Sequence, residues 1–447
     1  MLAHMTRVTT EAASDRSPPP SATSFPVNTL ALVAGLTALL TLAREPGGAA
    51  DSAKTWQYIP YLPLLPACAV FAVIAAIEWW MRRGRGVPAP ASAPRRPLSM
   101  RRVALRLWGL VTTLALAALC YWLFPEYAGP FYRPYWRFLE TLAPLLVLAP
   151  VYLVWVDRRV QSGDDELLEF GRLMSGGGGQ DIDWAIIRRH LLGWTVKAFF
   201  LPLMTVYLNQ EFDFFGGLVR TQGSHALSHY DAWFHLSYAI DLLFCVVGYT
   251  VTMRLFDSHM RSVEPTLEGW LVALVCYQPF YALIGGAYFR YEGSVNWETW
   301  TSTSPMLRNV LMTAIILLSL TYAFSTVAFG LRFSNLTHRG IITGGPYRFS
   351  KHPAYLTKNL SWWLISVPFA LNDGWAQAAR RCALLLLLNG IYFLRARTEE
   401  RHLSADPTYV AYAEWINEHG LLAPLGRRWR WLQYRPRRSE SSVVSRT

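Results

Sequence analysis

Long apolar runs alternate along this chain with short segments carrying arginine, glycine and proline. A bilayer core calls for about 20 predominantly apolar residues per helix. Ten runs meet or approach that length: 27–43, 56–80, 103–124, 138–156, 191–208, 232–252, 267–288, 306–331, 355–371 and 375–395. Pro, Arg or His interrupts some of them, so the pattern gives about ten spans and not a fixed number. It predicts an all-α fold, a polytopic transmembrane helical bundle.

Composition agrees with that reading. The 447 residues are 52% hydrophobic and only 16% charged, too apolar for a soluble protein of this size. The net charge of +12 matters through its placement. "MRRGRG" follows the second run, "RRPLSMRRVALR" leads into the third, "VDRRV" follows the fourth and "IIRRHLL" opens the fifth. The alternate loops carry few positive charges. Under the positive-inside rule the basic loops and both termini are expected to be cytoplasmic. Topology and attraction to anionic headgroups account for the basic balance, so no nucleic acid is called for. Only four lysines stand among the 42 Lys and Arg. With the high alanine content, this suggests a GC-rich bacterial gene and a multi-pass protein of the bacterial inner (cell) membrane. Cys68, Cys120, Cys245, Cys276 and Cys382 lie in or beside apolar runs without a C-x-x-C pair and read as buried packing residues, with no metal site expected.

The runs divide the chain into a disordered cytoplasmic tail (1–26), a four-span membrane unit (27–160), a Gly-rich cytoplasmic linker (161–187), a middle membrane unit (188–305), a C-terminal unit (306–425) and a basic tail (426–447). The four consecutive glycines of "SGGGGQD" lack the Lys-Ser/Thr pair and preceding strand of a phosphate-binding loop, so they read as a flexible linker. Trp429, Trp431 and Tyr434 among arginines suit a headgroup-level anchor as well as a plain disordered tail.

Three polar clusters stand out. His225 and His229, spaced i, i+4, with Asp231 and His235 nearby, could share a helix face, but ten scattered histidines do not supply the boxes of a di-iron enzyme. The stretch "GGPYRFSKHPAYLTKN" (344–359) lies between two apolar runs and holds half of the lysines. Proline favours the first position of a helix, so a helix is expected to start at Pro353 with His352 at its cap. His352, Tyr355 and Asn359 then share one face. The free N–H groups of such a helix start favour an anion, and Arg348 and Lys351 add positive charge. In "RARTEERHLSADPTYVAYAEW" (395–415), Arg395, Glu399 and His402 share a helical face with Glu400 beside them. The short turn "LNDGW" joins the last two apolar runs as an antiparallel hairpin, which brings Glu399 and Glu400 near His352. Each cluster alone is as well explained by an interfacial helix end.

Together, these residues resemble the isoprenylcysteine carboxyl methyltransferase superfamily, which includes the membrane phospholipid N-methyltransferases. The likeness rests on Gly345-Pro346-Tyr347, His352-Pro353-Ala354-Tyr355, Glu399-Glu400-Arg401-His402-Leu403, Tyr409 and Tyr412, and covers about 120 residues. It implies an S-adenosyl-L-methionine (AdoMet) site at the cytoplasmic face. Gly345, Tyr347, Lys351, His352, Pro353, Tyr355, Glu399 and Glu400 would bind the cofactor, and Glu399, Glu400 and His352 would serve catalysis. A membrane lipid or lipophilic small molecule would be the acceptor. The family arginine before the histidine is Lys351 here, which loses a bidentate fork. The small glycine after the tyrosine is replaced by Thr357, followed by Lys358 and Asn359, and this points to a different, anionic acceptor. Two other readings stay open: an NADPH-dependent reductase of sterol-reductase-like architecture, and a non-catalytic binding or transport protein with a vestigial site. The accepting atom and the oligomeric state are not legible.

Overall fold

The computed structural model describes residues 17–44, 61–84, 96–160, 165–177, 182–220 and 229–435. Fifteen α-helices are ordered along them. The first eight are α1 (Phe25–Arg44), α2 (Leu64–Gly84), α3 (Met100–Leu123), α4 (Arg133–Leu142), α5 (Ala149–Asp157), α6 (Glu166–Met174), α7 (Trp184–Arg220) and α8 (His229–Thr250). Then come α9 (Leu267–Leu274), α10 (Trp297–Trp300), α11 (Pro305–Val327), α12 (Pro353–Ser366), α13 (Trp375–Leu403), α14 (Pro407–His419) and α15 (Ala423–Arg428). Two-residue strands β1 (Ser262–Val263) and β2 (Thr337–His338) pair antiparallel, Ser262 with His338 and Val263 with Thr337.

Among the described residues, seven helical stretches are long and apolar enough to cross a bilayer: Phe25–Leu42, Leu64–Met81, Met100–Leu123, Pro130–Asp157, Trp184–Leu218, Tyr230–Thr250 and Pro305–Val327. The other three expected runs depart from single apolar spans for distinct reasons. Run 267–288 breaks after α9 and resumes as a π-helical turn over Ala282–Gly286. Run 355–371 yields only the 14 residues of α12, about 21 Å at 1.5 Å per residue, short of a bilayer core. Its companion α13 has 29 residues, but Arg380, Arg381, Arg395 and Arg397 dilute its hydropathy.

α8 is the most buried of the spans. Leu243, Phe244, Val247 and Tyr249 pack with Phe200 and Met204 of α7 and Ala323 and Val327 of α11. The linker expected to be flexible contains α6, whose first turn is capped by the Asp165 carboxylate accepting from the Leu168 N–H at 3.1 Å. A Cβ on Gly171 would lie 1.9 Å from the Leu105 carbonyl oxygen, and one on Gly109 2.3 Å from that of Leu167, so only glycines let α6 and α3 touch backbone to backbone. Arg106, 1% exposed, fastens the same corner to Asp157 (2.5 Å) and Asp165 (2.6 Å). Buried ions survive when paired in this way.

Residues 19–28, assigned largely to the disordered tail, dock on the C-terminal unit. The Ala22 N–H donates to the Ile341 carbonyl at 2.8 Å, and the Thr343 hydroxyl to that of Pro19 at 2.7 Å. The Thr23 hydroxyl donates to the Ala328 carbonyl at 2.6 Å, and the Asn28 amide to Val327 at 2.9 Å. Residues 1–16, His225 and 436–447 lie outside the described residues. Cys68 and Cys120 are exposed on outward helix faces, contrary to the expectation of burial, and only Cys245 is fully buried. Tyr434 is buried against Tyr409, whereas Trp429 and Trp431 stay exposed.

Candidate functional site

His352 caps α12, Pro353 takes its first turn, and Gly374 in a left-handed conformation (φ 85°) lets the chain reverse into α13. The reversal carries Glu399 and Glu400 back to the start of α12. His352 Nε2 donates to Glu400 Oε1 at 3.3 Å, and the Lys351 ammonium lies 2.6 Å from the same oxygen. Arg397 donates to Glu400 Oε2 at 3.0 Å. On the other face, the Tyr355 hydroxyl donates to Glu399 Oε2 at 2.9 Å, and His352 Nδ1 stands 3.8 Å from that oxygen.

The two glutamates therefore differ in role. Burial opposes the charge of Glu400, but the hydrogen bond from His352 and the Lys351 ammonium outweigh it and hold the carboxyl at about 2, below its usual 4.5. Burial also lowers the pKa of Lys351, against the pull of Glu400. Glu400 is thus a structural ion locking the helix start to the helix end. Glu399 keeps its side chain 39% exposed and faces an open cleft.

That cleft has a cavity volume of about 100 Å³. Its walls come from α11, the loop before β2, the start of α12, the end of α13 and the α9 region. Tyr277, Tyr322, Phe329, Phe333, Tyr347, Tyr355 and Tyr392 give it an aromatic lining. Glu264, Glu399 and His402 supply polar groups at one side. Of the residues singled out from sequence, Tyr347, Lys351, His352, Tyr355 and Glu399 line this cleft, whereas Glu400 faces a groove on the far side of the hairpin. Gly345 (φ 60°) and Pro353 shape the backbone. His235 lies elsewhere, bonded through Nδ1 to Glu211 at 2.8 Å.

Sequence reasoning missed several residues that fix this geometry. Asn335 is a hub: its Oδ1 accepts from Arg395 at 2.7 Å, and its Nδ2 donates to the Tyr249 and Tyr277 hydroxyls at 2.9 and 3.1 Å. Arg395 lies over the Tyr277 and Tyr355 rings at 5.4 and 5.1 Å. Arg339 donates to the carbonyls of Gly248 (2.7 Å), Val251 (2.9 Å), Phe333 (2.7 Å) and Ser258 (2.6 Å), tying the end of α8 to the loop. Tyr412 holds the 347–350 turn, its hydroxyl donating to the Tyr347 carbonyl at 2.6 Å. Two of these had a signal in the sequence, Tyr412 through the motif and Arg395 through the helical face it shares with Glu399 and His402. The Ser262 hydroxyl bonds His402 Nε2 at 2.8 Å, which brings β1 to the same rim.

The chemistry of the lining fits AdoMet. An aromatic wall accommodates a sulfonium through cation–π attraction, and a partly exposed carboxylate suits the cofactor's ammonium or ribose hydroxyls.

Comparison with known proteins places the hairpin. Residues 306–405 match the isoprenylcysteine carboxyl methyltransferase (ICMT) family. The match takes in α11, β2, α12 and all of α13, while Glu264, Tyr277 and the Arg339-bonded end of α8 come from outside or reach beyond it. No curated protein and no solved structure matches the chain.

Proposed function

From the premise that residues 306–405 are an ICMT-family region within a helical membrane protein, we propose that this chain is an AdoMet-dependent methyltransferase acting on a lipid or membrane-soluble acceptor, with its cofactor cleft at the cytoplasmic face. One observation carries the reading: the two motifs of the family match, 47 positions apart between His352 and Glu399, converge on a single aromatic cleft. The bound cofactor would supply an electrophilic methyl group on a sulfonium.

The chain's own part is positional. Tyr347, Tyr355 and Tyr392 form walls against the cation, and Glu399, oriented by the Tyr355 hydroxyl, offers a hydrogen-bond acceptor at the rim. His352 and Lys351 are held in register by Glu400. In-line transfer from a sulfonium needs chiefly alignment and exclusion of water, and positioning of this kind is worth several powers of ten in rate. The basic loops favour the cytoplasmic side for the cleft end of the hairpin, and in this reading the membrane is a bacterial inner membrane. In this reading residues 306–425 are the methyltransferase unit, residues 188–305 are a membrane unit that completes its walls, and residues 27–160 are a further membrane unit.

Equilibrium dialysis of labelled AdoMet against the detergent-purified wild type, His352→Ala and Glu399→Gln tests this assignment. Both variants are expected to lose at least tenfold in affinity with helicity unchanged by circular dichroism. Wild-type affinity in both would place the cofactor elsewhere.

A further inference from the structure

Lys358 faces two cavities at once. Beyond the cofactor cleft it lines a second chamber of about 360 Å³, which the cleft meets at Lys358 and Tyr322. This chamber extends toward the opposite end of α12, past Ser361, Trp362 and Ser366, and is closed by α8, α11 and residues 291–296. Half of its walls come from residues outside the ICMT match.

Among the described residues, the Lys358 ammonium makes no hydrogen bond and no ion pair within 4 Å. It rests on aromatic faces instead: Tyr322 at 5.2 Å, Trp362 at 5.5 Å and Tyr392 at 6.0 Å. Asp241 on α8 is its partner at longer range, beyond 4 Å, and that carboxylate also accepts from the Tyr322 hydroxyl at 2.9 Å and from the Thr326 hydroxyl. A cation inside a helical bundle is costly without a counter-charge in contact, and cation–π contacts offset only part of that cost. The chamber's serines add a second demand. Ser237, Ser361 and Ser366 each donate their hydroxyl hydrogen to a backbone carbonyl of their own helix, at 2.7, 2.8 and 2.7 Å. Their oxygens are left as acceptors, which calls for donors on the occupant. Glu292, the one carboxylate of the lining, sits on the exposed rim.

We infer that this chamber binds the head of an amphiphile that carries an anionic group, held on Lys358, and hydroxyl groups, held on the serine oxygens. That this occupant is the methyl acceptor rests on the methyltransferase reading. The two reactants would then approach Lys358 and Tyr322 from opposite ends of α12.

The test is calorimetric titration of detergent-purified protein with oleoyl-lysophosphatidic acid and with monoolein, which share chain and glycerol and differ in the phosphate. Oleate, glycerol phosphate and inorganic phosphate are separate arms. Wild type is expected to prefer the phosphate-bearing lipid by at least tenfold. Lys358→Met should reduce that preference below about twofold, and Lys358→Arg should retain it. Ser361→Phe, which fills the chamber away from the cleft, should block both lipids while AdoMet still binds. Tight binding of glycerol phosphate or inorganic phosphate alone would identify a soluble anion as the source of the same chemistry and overturn the amphiphile. Equal affinity for the two lipids in wild type, or an unchanged preference in Lys358→Met, overturns the inference even if AdoMet binds. Preference for the phosphate lipid without AdoMet binding supports the chamber and removes the methyltransferase reading instead. Should Lys358→Met not fold, the Lys358→Arg and Ser361→Phe arms decide.

Discussion

Replacing Glu400 by Gln removes the counter-charge that holds the two ends of the hairpin together. The wild-type carboxyl sits at about 2 against an ordinary 4.5. A pKa unit is worth about 1.4 kcal/mol, so the carboxylate contributes about 3 kcal/mol to folding at neutral pH. Because the folded pKa is the lower one, the contribution is present in full above pH 4.5 and disappears as pH falls through 2. At pH 3 less than half of it remains. Lys351 returns part of the gain, since its burial disfavours the ammonium. Glu400→Gln then leaves that ammonium and His352 without their carboxylate, a kind of loss that costs about 3–5 kcal/mol. Equilibrium unfolding in mixed micelles, followed by circular dichroism from pH 8 to 2.5, reads the difference directly. The gap between wild type and Glu400→Gln should stay constant down to pH 5 and narrow steadily below 4.5. A gap under about 1 kcal/mol at pH 7, or one that does not narrow in acid, would refute the assignment of Glu400 as the locking ion.

The tyrosine pair of α14 should behave asymmetrically. Tyr412→Phe loses the bond to the Tyr347 carbonyl and should weaken AdoMet binding about fivefold or more through a slack 347–350 turn. Tyr409→Phe should leave both stability and binding nearly unchanged, because the buried Tyr409 hydroxyl has no hydrogen-bond partner among the described residues. Gly345→Ala should lower the unfolding midpoint by the equivalent of about 1–2 kcal/mol, since φ is 60° there and a Cβ would come 2.6 Å from the Phe25 ring. A midpoint within error of wild type would show that the N-terminal strap does not bear on the turn.

Local signals explain what was legible in the sequence. Proline after His352, glycine before α13 and the 3.6-residue spacing of Arg395, Glu399 and His402 place a helix start opposite a helix end, and the structure has both. Apolar length located seven spans. The remaining runs are broken, as after Leu274, or cut short, as at Val367 in its left-handed conformation (φ 36°). The hub at Asn335, three of the four carbonyls clamped by Arg339 and the docking of residues 19–28 join positions 58 to more than 300 residues apart, and no local pattern announces them. Glu400 was grouped with Glu399 because adjacent acids look equivalent on paper. On a helix, a step of about 100° sends them to opposite sides of the hairpin.

The central claim is that the cleft walled by Tyr347, Tyr355 and Glu399 holds AdoMet. Calorimetric titration of the purified full chain with AdoMet, its demethylated product and NADPH tests it most directly. Saturable binding of AdoMet and of the product is expected, each weakened at least tenfold in Glu399→Gln, with no heat from NADPH. Binding of NADPH alone would contradict the account and make the chain a reductase. Silence from all three in folded protein would leave the hairpin without its cofactor.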